Sequence, residues 1–108
     1  MPLDMEIIRR YCRNEQVIYS KHFIDRSRER GISLSDAESA VLTGEMIEEY
    51  PDDYPFPSCL ILGVDSGYNT IHVVCAQGQD RLYMISVYRP SPEKWEADMK
   101  TRKKENPS

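Results

Sequence analysis

Apolar residues recur every three to four positions through the first forty residues, then every second position, so helices should give way to strands. The first helix is expected from about Leu3 to Arg13, with Ile7, Ile8, Tyr11 and Cys12 on one face and Arg9, Arg10 and Arg13 elsewhere. Ser20 can cap a second helix over Lys21 to Arg30, with Phe23, Ile24 and Ser27 turned inward and Gly31 at its left-handed end. A third, over Leu34 to Thr43, takes Ser33 or Ser35 as cap and buries Leu34, Ala37, Ala40 and Val41 before Gly44. Four strands should follow: Glu45 to Tyr50, Ser58 to Asp65, Thr70 to Ala76 and Arg81 to Arg89. The proline-rich loop 51–57 separates the first two, and turns at 66–69 and around Gly78 and Asp80 join the rest. In the first strand Met46, Glu48 and Tyr50 should share a face. Ser91 with Pro92 then opens a last helix, docked by Trp95 and Met99. The fold class predicted is α+β: N-terminal helices on a small antiparallel meander of about four strands, with a C-terminal helix. One domain should span 1–103, with a disordered tail at 104–108.

The 108 residues suffice for one hydrophobic core. No apolar run approaches a membrane span, and MPLDMEIIRR lacks the layout of a signal peptide, so a soluble, cytoplasmic protein is expected. Cys12, Cys59 and Cys75 lack C-x-x-C spacing, which argues against disulfides and a zinc knuckle, and Cys59 and Cys75 fit core positions. Two histidines make a metal site unexpected, and nothing in the chain calls for a cofactor. The formal charge of -4 is unevenly spread: +2 over residues 1–30, -7 over 31–60, 0 over 61–90 and +1 over 91–108. Such polarity orients a chain toward a charged partner. Phosphate-binding loops, dinucleotide fingerprints, zinc-protease helices and nucleophile elbows are absent, so hydride transfer, nucleoside-triphosphate hydrolysis and serine hydrolysis have no support.

The chemistry-bearing residues fall in two groups. His22, Arg26 and Arg30 lie four apart, which on a helix stacks one imidazole and two guanidinium groups in a stripe. Guanidinium forks match phosphate oxygens, and an imidazole beside them can move a proton. The same stripe can simply solvate a face through Arg26–Glu29 and Asp25–Arg28 pairs. On the sheet, Thr70, His72, Val74 and Ala76 should share one face, as should Leu82, Met84, Ser86 and Tyr88. The opposite faces, with Ile71, Val73 and Cys75 and with Tyr83, Ile85 and Val87, should pack on the helices. His72, Ser86 and Tyr88 would then form a shallow polar group able to stack on a base or exchange protons, or an ordinary wet sheet face. Arg89 is a candidate phosphate ligand, or a partner for Glu48 or Glu49. The acidic loop can imitate a phosphate backbone, receive a basic partner, or act as a rigid connector.

Taken together, KHFIDRSRERGIS, GEMIEEYPDDYPFPSCLILG, IHVVCAQ and YMISVYRPSPEKWEADMKTR closely resemble the prokaryotic domain-of-unknown-function family 4258, over roughly residues 18–103. That family is similar to the RelE/ParE and BrnT toxin folds, and its members often accompany a zinc-ribbon, helix-turn-helix antitoxin. The resemblance implies a toxin of a type II toxin–antitoxin pair, with a cognate antitoxin as partner. Two modes of action follow: metal-independent cleavage of mRNA, or a non-enzymatic protein-binding role. For cleavage the candidate residues are His22, His72 and Tyr88 in proton transfer and positioning, and Arg26, Arg30 and Arg89 on the phosphate.

Overall fold

The computed structural model describes residues 2–104, so of the tail expected at 104–108, residues 105–108 lie outside the described residues. Three helices come first: α1 (Met5–Arg13), α2 (Lys21–Glu29) and α3 (Leu34–Thr43). Their starts follow local chemistry, since Asp4, Ser20 and Ser33 each accept a hydrogen bond from an amide of the first turn. Ser33, not Ser35, caps α3. Gly31 has φ +62, the left-handed conformation that ends α2. Ile8, Tyr11, Cys12, Phe23, Ala37, Ala40 and Val41 form the helical side of the core.

The sheet has five strands: β1 (Val17–Tyr19), β2 (Glu45–Tyr50), β3 (Ser58–Val64), β4 (Thr70–Gln77) and β5 (Leu82–Tyr88). Their spatial order is β1-β5-β4-β3-β2. The sheet is not the expected four-strand antiparallel meander: the last four strands pair antiparallel, but β1 joins β5 in parallel and makes it a five-strand mixed sheet. Three residues carry too little alternation to announce a strand, and only the exposed edge of β5 selects them. Where β1 ends, α2 takes over the edge. Ser20 Oγ donates to the Ile85 carbonyl at 3.2 Å, and Arg30 Nη1 donates to the Val87 carbonyl at 2.7 Å.

Two bulges rearrange the expected faces. Cross-strand partners in an antiparallel pair share a face. Cys75 pairs with Met84 and Val74 with Ser86, so Ile85 is the extra residue of a bulge. Leu82, Met84 and Val87 therefore enter the helical core, while Tyr83, Ser86 and Tyr88 occupy the other face. The expected sets Leu82-Met84-Ser86-Tyr88 and Tyr83-Ile85-Val87 are both split. Likewise Ile47 is skipped in β2, so Met46 packs against the core while Glu48 and Tyr50 pair with Leu60 and Ser58 on the outer face. Strict alternation cannot foresee a bulge, because the inserted residue reverses the phase beyond it.

The expected C-terminal helix is replaced by a strap. One turn after Ser91 leads into a single antiparallel bridge, Trp95 with Arg102. Asp98 accepts from the amides of Lys100 and Thr101, both at 3.0 Å, which ties the chain into a turn rather than a helix. A helix of a dozen residues is marginal alone. The strap instead buries Trp95 on the outer face, while loop 51–57 covers the other half of that face through Phe56, stacked on Tyr83 with centroids 5.4 Å apart. All three cysteines are free and buried. No helix among the described residues is long and apolar enough to cross a membrane.

Gly63 marks the closest approach of α3 to the sheet. A Cβ there would sit 2.4 Å from the Ala40 Cβ and 2.7 Å from its Cα. Gly63→Ala should lower unfolding free energy by roughly 1–3 kcal/mol through overpacking. Urea denaturation checks this, and an unchanged midpoint would mean that α3 does not sit this close.

Candidate functional site

The end of β5 delivers Tyr88 and Arg89 to the place where α2 ends and the strap crosses. There Arg30, Tyr88, Arg89, Ser91, Lys94, Trp95 and Arg102 line a cavity of about 340 Å³. Four cations thus converge on one concavity in an acidic protein. Arg89 Nη1 meets the Asp65 carboxylate at 2.9 Å, and Arg102 makes a two-pronged pair with Glu48 at 2.7 and 3.0 Å. Among the described residues, Arg30 and Lys94 have no carboxylate partner. The lining therefore keeps two uncompensated positive charges, as an anion site requires.

Behind Tyr88 lies a histidine with both ring nitrogens hydrogen-bonded. His72 is fully buried on the outer face, paired across the sheet with Tyr88. Its Nε2 lies 2.6 Å from the Met99 carbonyl, which can only accept, so Nε2 carries the proton. Its Nδ1, 3.2 Å from the Tyr88 oxygen, is then the acceptor for the phenol hydrogen. Trp95 closes the pocket edge-on, its ring 4.6 Å from the imidazole, and the Arg102 guanidinium lies 4.6 Å above the indole centroid. Burial holds the His72 pKa below its ordinary value, against the opposing pull of the Met99 carbonyl, and burial raises that of Tyr88. The hydrogen bond from Arg102 chiefly holds Glu48 below the usual carboxylate range, and the Asn69 amide does the same for Asp65, with Arg89 adding to it.

Of the six residues singled out in the sequence, Arg30, Tyr88 and Arg89 line the cavity and His72 supports it from behind. The other two stand apart. Arg26 pairs with Glu29 at 2.8 Å along the helix, as the solvated-face alternative expects, whereas Asp25 faces Lys21 at 3.9 Å and not Arg28. His22 sits at the exposed start of α2, 3.4 Å from Ser86 Oγ. The stripe is not one functional row, because Arg30 already belongs to the helix cap and leans onto β5. Arg89 pairs with an acidic residue, as one of its two readings had it, but the partner is Asp65 of the 65–69 turn rather than Glu48 or Glu49. Sequence reasoning missed Lys94 and Arg102, which it placed on a helix. The five Lys/Arg of residues 91–108 were the available signal. Among the described residues, no three His, Cys, Asp or Glu side chains cluster as metal ligands would.

The family model for a domain of unknown function (DUF4258) matches residues 19–89. The chain belongs to this family. No curated protein and no solved structure matches the chain. The matched segment runs from the end of β1 to Arg89, so Arg30, His72, Tyr88 and Arg89 lie inside the family core. Lys94, Trp95 and Arg102 come from the strap beyond it.

The buried histidine predicts a pH dependence. Its folded-state pKa lies below the unfolded value near 6.5, so the unfolded chain binds the proton more readily. The stability due to neutral His72 is complete above the unfolded pKa and is lost as pH falls toward the folded one. Urea midpoints should therefore drop between pH 7.5 and 5.5, and drop less in His72→Gln. Equal slopes in both proteins would show that His72 is not buried neutral.

Proposed function

We propose that this chain is the toxin of a type II toxin–antitoxin pair and that it acts on RNA by gripping a phosphodiester in the cavity at the end of β5. The cavity carries this reading: Arg30, Arg89, Lys94 and Arg102 surround a space of about 340 Å³ with Tyr88 in its wall. The biological role rests on the kinship expected between this family and RelE/ParE-like toxins, and the chemistry rests on the cavity. Guanidinium groups bind phosphate oxygens in pairs, and the lysine adds a point charge. Placing the cations in one concavity offsets the repulsion that an acidic chain exerts on RNA.

Cleavage, in this reading, uses the Tyr88–His72 pair. The 2′-hydroxyl beside the held phosphate attacks phosphorus and gives its proton to the Tyr88 oxygen. Tyr88 passes its own hydrogen to His72 Nδ1, the departing 5′-oxygen takes a proton from water, and the hydroxide so formed takes back the imidazolium proton by way of Tyr88. The cations stabilise the charge that grows on the phosphorane oxygens. His72 is then a positioning and relay group that never touches substrate, while His22 and Arg26 have no part in the step. Burial disfavours the imidazolium that the relay creates, so turnover is slow and grip dominates. The non-enzymatic reading keeps the grip and drops the relay.

Fluorescence anisotropy with a single-stranded RNA oligonucleotide tests the grip. Arg30→Ala and Lys94→Ala should each weaken binding and lower the slope of log affinity against log salt by about 0.7, the value for one phosphate contact on a single strand. An unchanged slope would remove both residues from the RNA interface. Induced expression in bacteria, with growth and total RNA followed together, tests the action. Arrest with RNA breakdown is expected, and Tyr88→Phe should keep RNA binding within about twofold while slowing breakdown by about 10²-fold or more. Arrest with intact RNA would favour the protein-binding reading, and no arrest from folded protein would sink the toxin role.

A further inference from the structure

A second surface lies on the opposite edge of the sheet from β2, around β1, and differs from the basic cavity in charge and polarity. Backbone pairing defines it first. Leu82 N–H donates to the Gln16 carbonyl at 2.8 Å, and Ser20 N–H donates to the Met84 carbonyl at 3.1 Å. In a parallel ladder this alternation turns the amide of Ile18 toward β5 and those of Val17 and Tyr19 away from it. Among the described residues, no strand pairs with that outer side of β1. α2 covers the sheet edge only beyond Tyr19.

Two concavities flank this open edge, and Ile18 lines both. The first, about 340 Å³, is largely apolar, with walls of Ile18, Pro55, Phe56, Tyr83 and Ile85 and with Asp53 on its polar rim. Ile18 is 42 % exposed, Ile85 37 % and Tyr54 95 %, an unusual gathering of uncovered large apolar groups for so small a chain. The second, about 260 Å³, is polar and lined by Glu15, Gln16, Asp80 and Arg81. Arg81 is already paired with Asp80 at 2.9 Å, so Glu15 and Asp53 leave the two concavities net negative. An occupant that satisfies all three features is extended, apolar on alternate residues, and basic at its flanks.

We propose that β1 is a docking edge for an extended, basic-flanked segment of a second protein, added as a sixth strand with an aliphatic or aromatic side chain in the Phe56–Tyr83–Ile85 groove. Main-chain hydrogen bonds to Val17 and Tyr19 give the attachment, the groove reads one side chain, and Glu15 and Asp53 select Lys or Arg beside it. The stiff loop 51–57 then has a role: it forms one wall of the groove and carries its acidic rim. This inference uses neither the phosphate cavity nor the toxin role, and it stands or falls separately from them.

The probe is a displayed library of random nine-residue peptides selected against the purified full chain, followed by titration of the enriched peptides made synthetically. Enriched sequences should alternate apolar residues and carry Lys or Arg at the flanks. Their affinity should fall at least tenfold against Ile18→Asp and, independently, against Ile85→Asp, two exposed positions where the fold can be verified by thermal melting. N-methylation of one alternate set of peptide amides should abolish binding while methylation of the other set leaves it. No enrichment, acidic sequences, helical sequences indifferent to N-methylation, or affinity unchanged in both variants would each overturn the proposal. So would a dimer in sedimentation equilibrium that Ile18→Asp dissolves, since the occupant would then be a second copy of this chain.

Discussion

Strand β5 is the constraint on which the remaining structure depends. It pairs with β4 on one side and with β1 on the other, and α2 bonds to its last carbonyls through Ser20 and Arg30. Its bulge at Ile85 reverses the pleat midway. Before it Leu82 and Met84 fill the core, and after it Val87 does so while Tyr88 turns to the other face. Strict alternation through Ile85 would instead point Tyr88 into the helices and Val87 to the outer face. The position of the cavity follows, because Tyr88 and Arg89 leave the sheet where α2 ends.

The outer face needs a cover, and two unlike segments supply it. Loop 51–57 brings Phe56 onto Tyr83, and the strap brings Trp95 onto His72. The strap is held by burial of the indole, by the His72–Met99 hydrogen bond and by its ion pairs. Lys100–Glu45 is a solvent-facing contact of the kind worth a fraction of a kcal/mol to about 1 kcal/mol, whereas Arg102–Glu48 is two-pronged and partly covered. Their larger effect is on charge. Carboxylates of the acidic middle neutralise cations of the strap, which leaves Arg30 and Lys94 as the uncompensated charges of the cavity. The acidic middle and the basic ends thus interlock.

Local chemistry determined a good deal of this. The three helices, with the Ser20 and Ser33 caps and the left-handed Gly31, follow from residues within one turn of each boundary, although α1 starts after an Asp4 cap rather than at Leu3. The four antiparallel strands follow from alternation, and the burial of Cys59 and Cys75 from their apolar neighbours. Arg30, Tyr88 and Arg89, which line the cavity, were also readable as candidates, because residue type alone marks a guanidinium or a phenol as chemistry-bearing.

Tertiary structure decided what no local pattern encodes. β1 is a strand only because β5 offers an open edge, and the two bulges exist because strands of unequal register must fit one core. The C-terminal segment has helical composition, yet burying Trp95 on a distant histidine outweighs a short helix with an Asp98 turn in its middle. The same contact turns His72 from an exposed candidate into a buried support for Tyr88. It also brings Lys94 and Arg102 beside Arg30, more than sixty residues away. Propensity and spacing act over a few residues, whereas the site is an intersection of three segments that only sheet pairing and burial bring together.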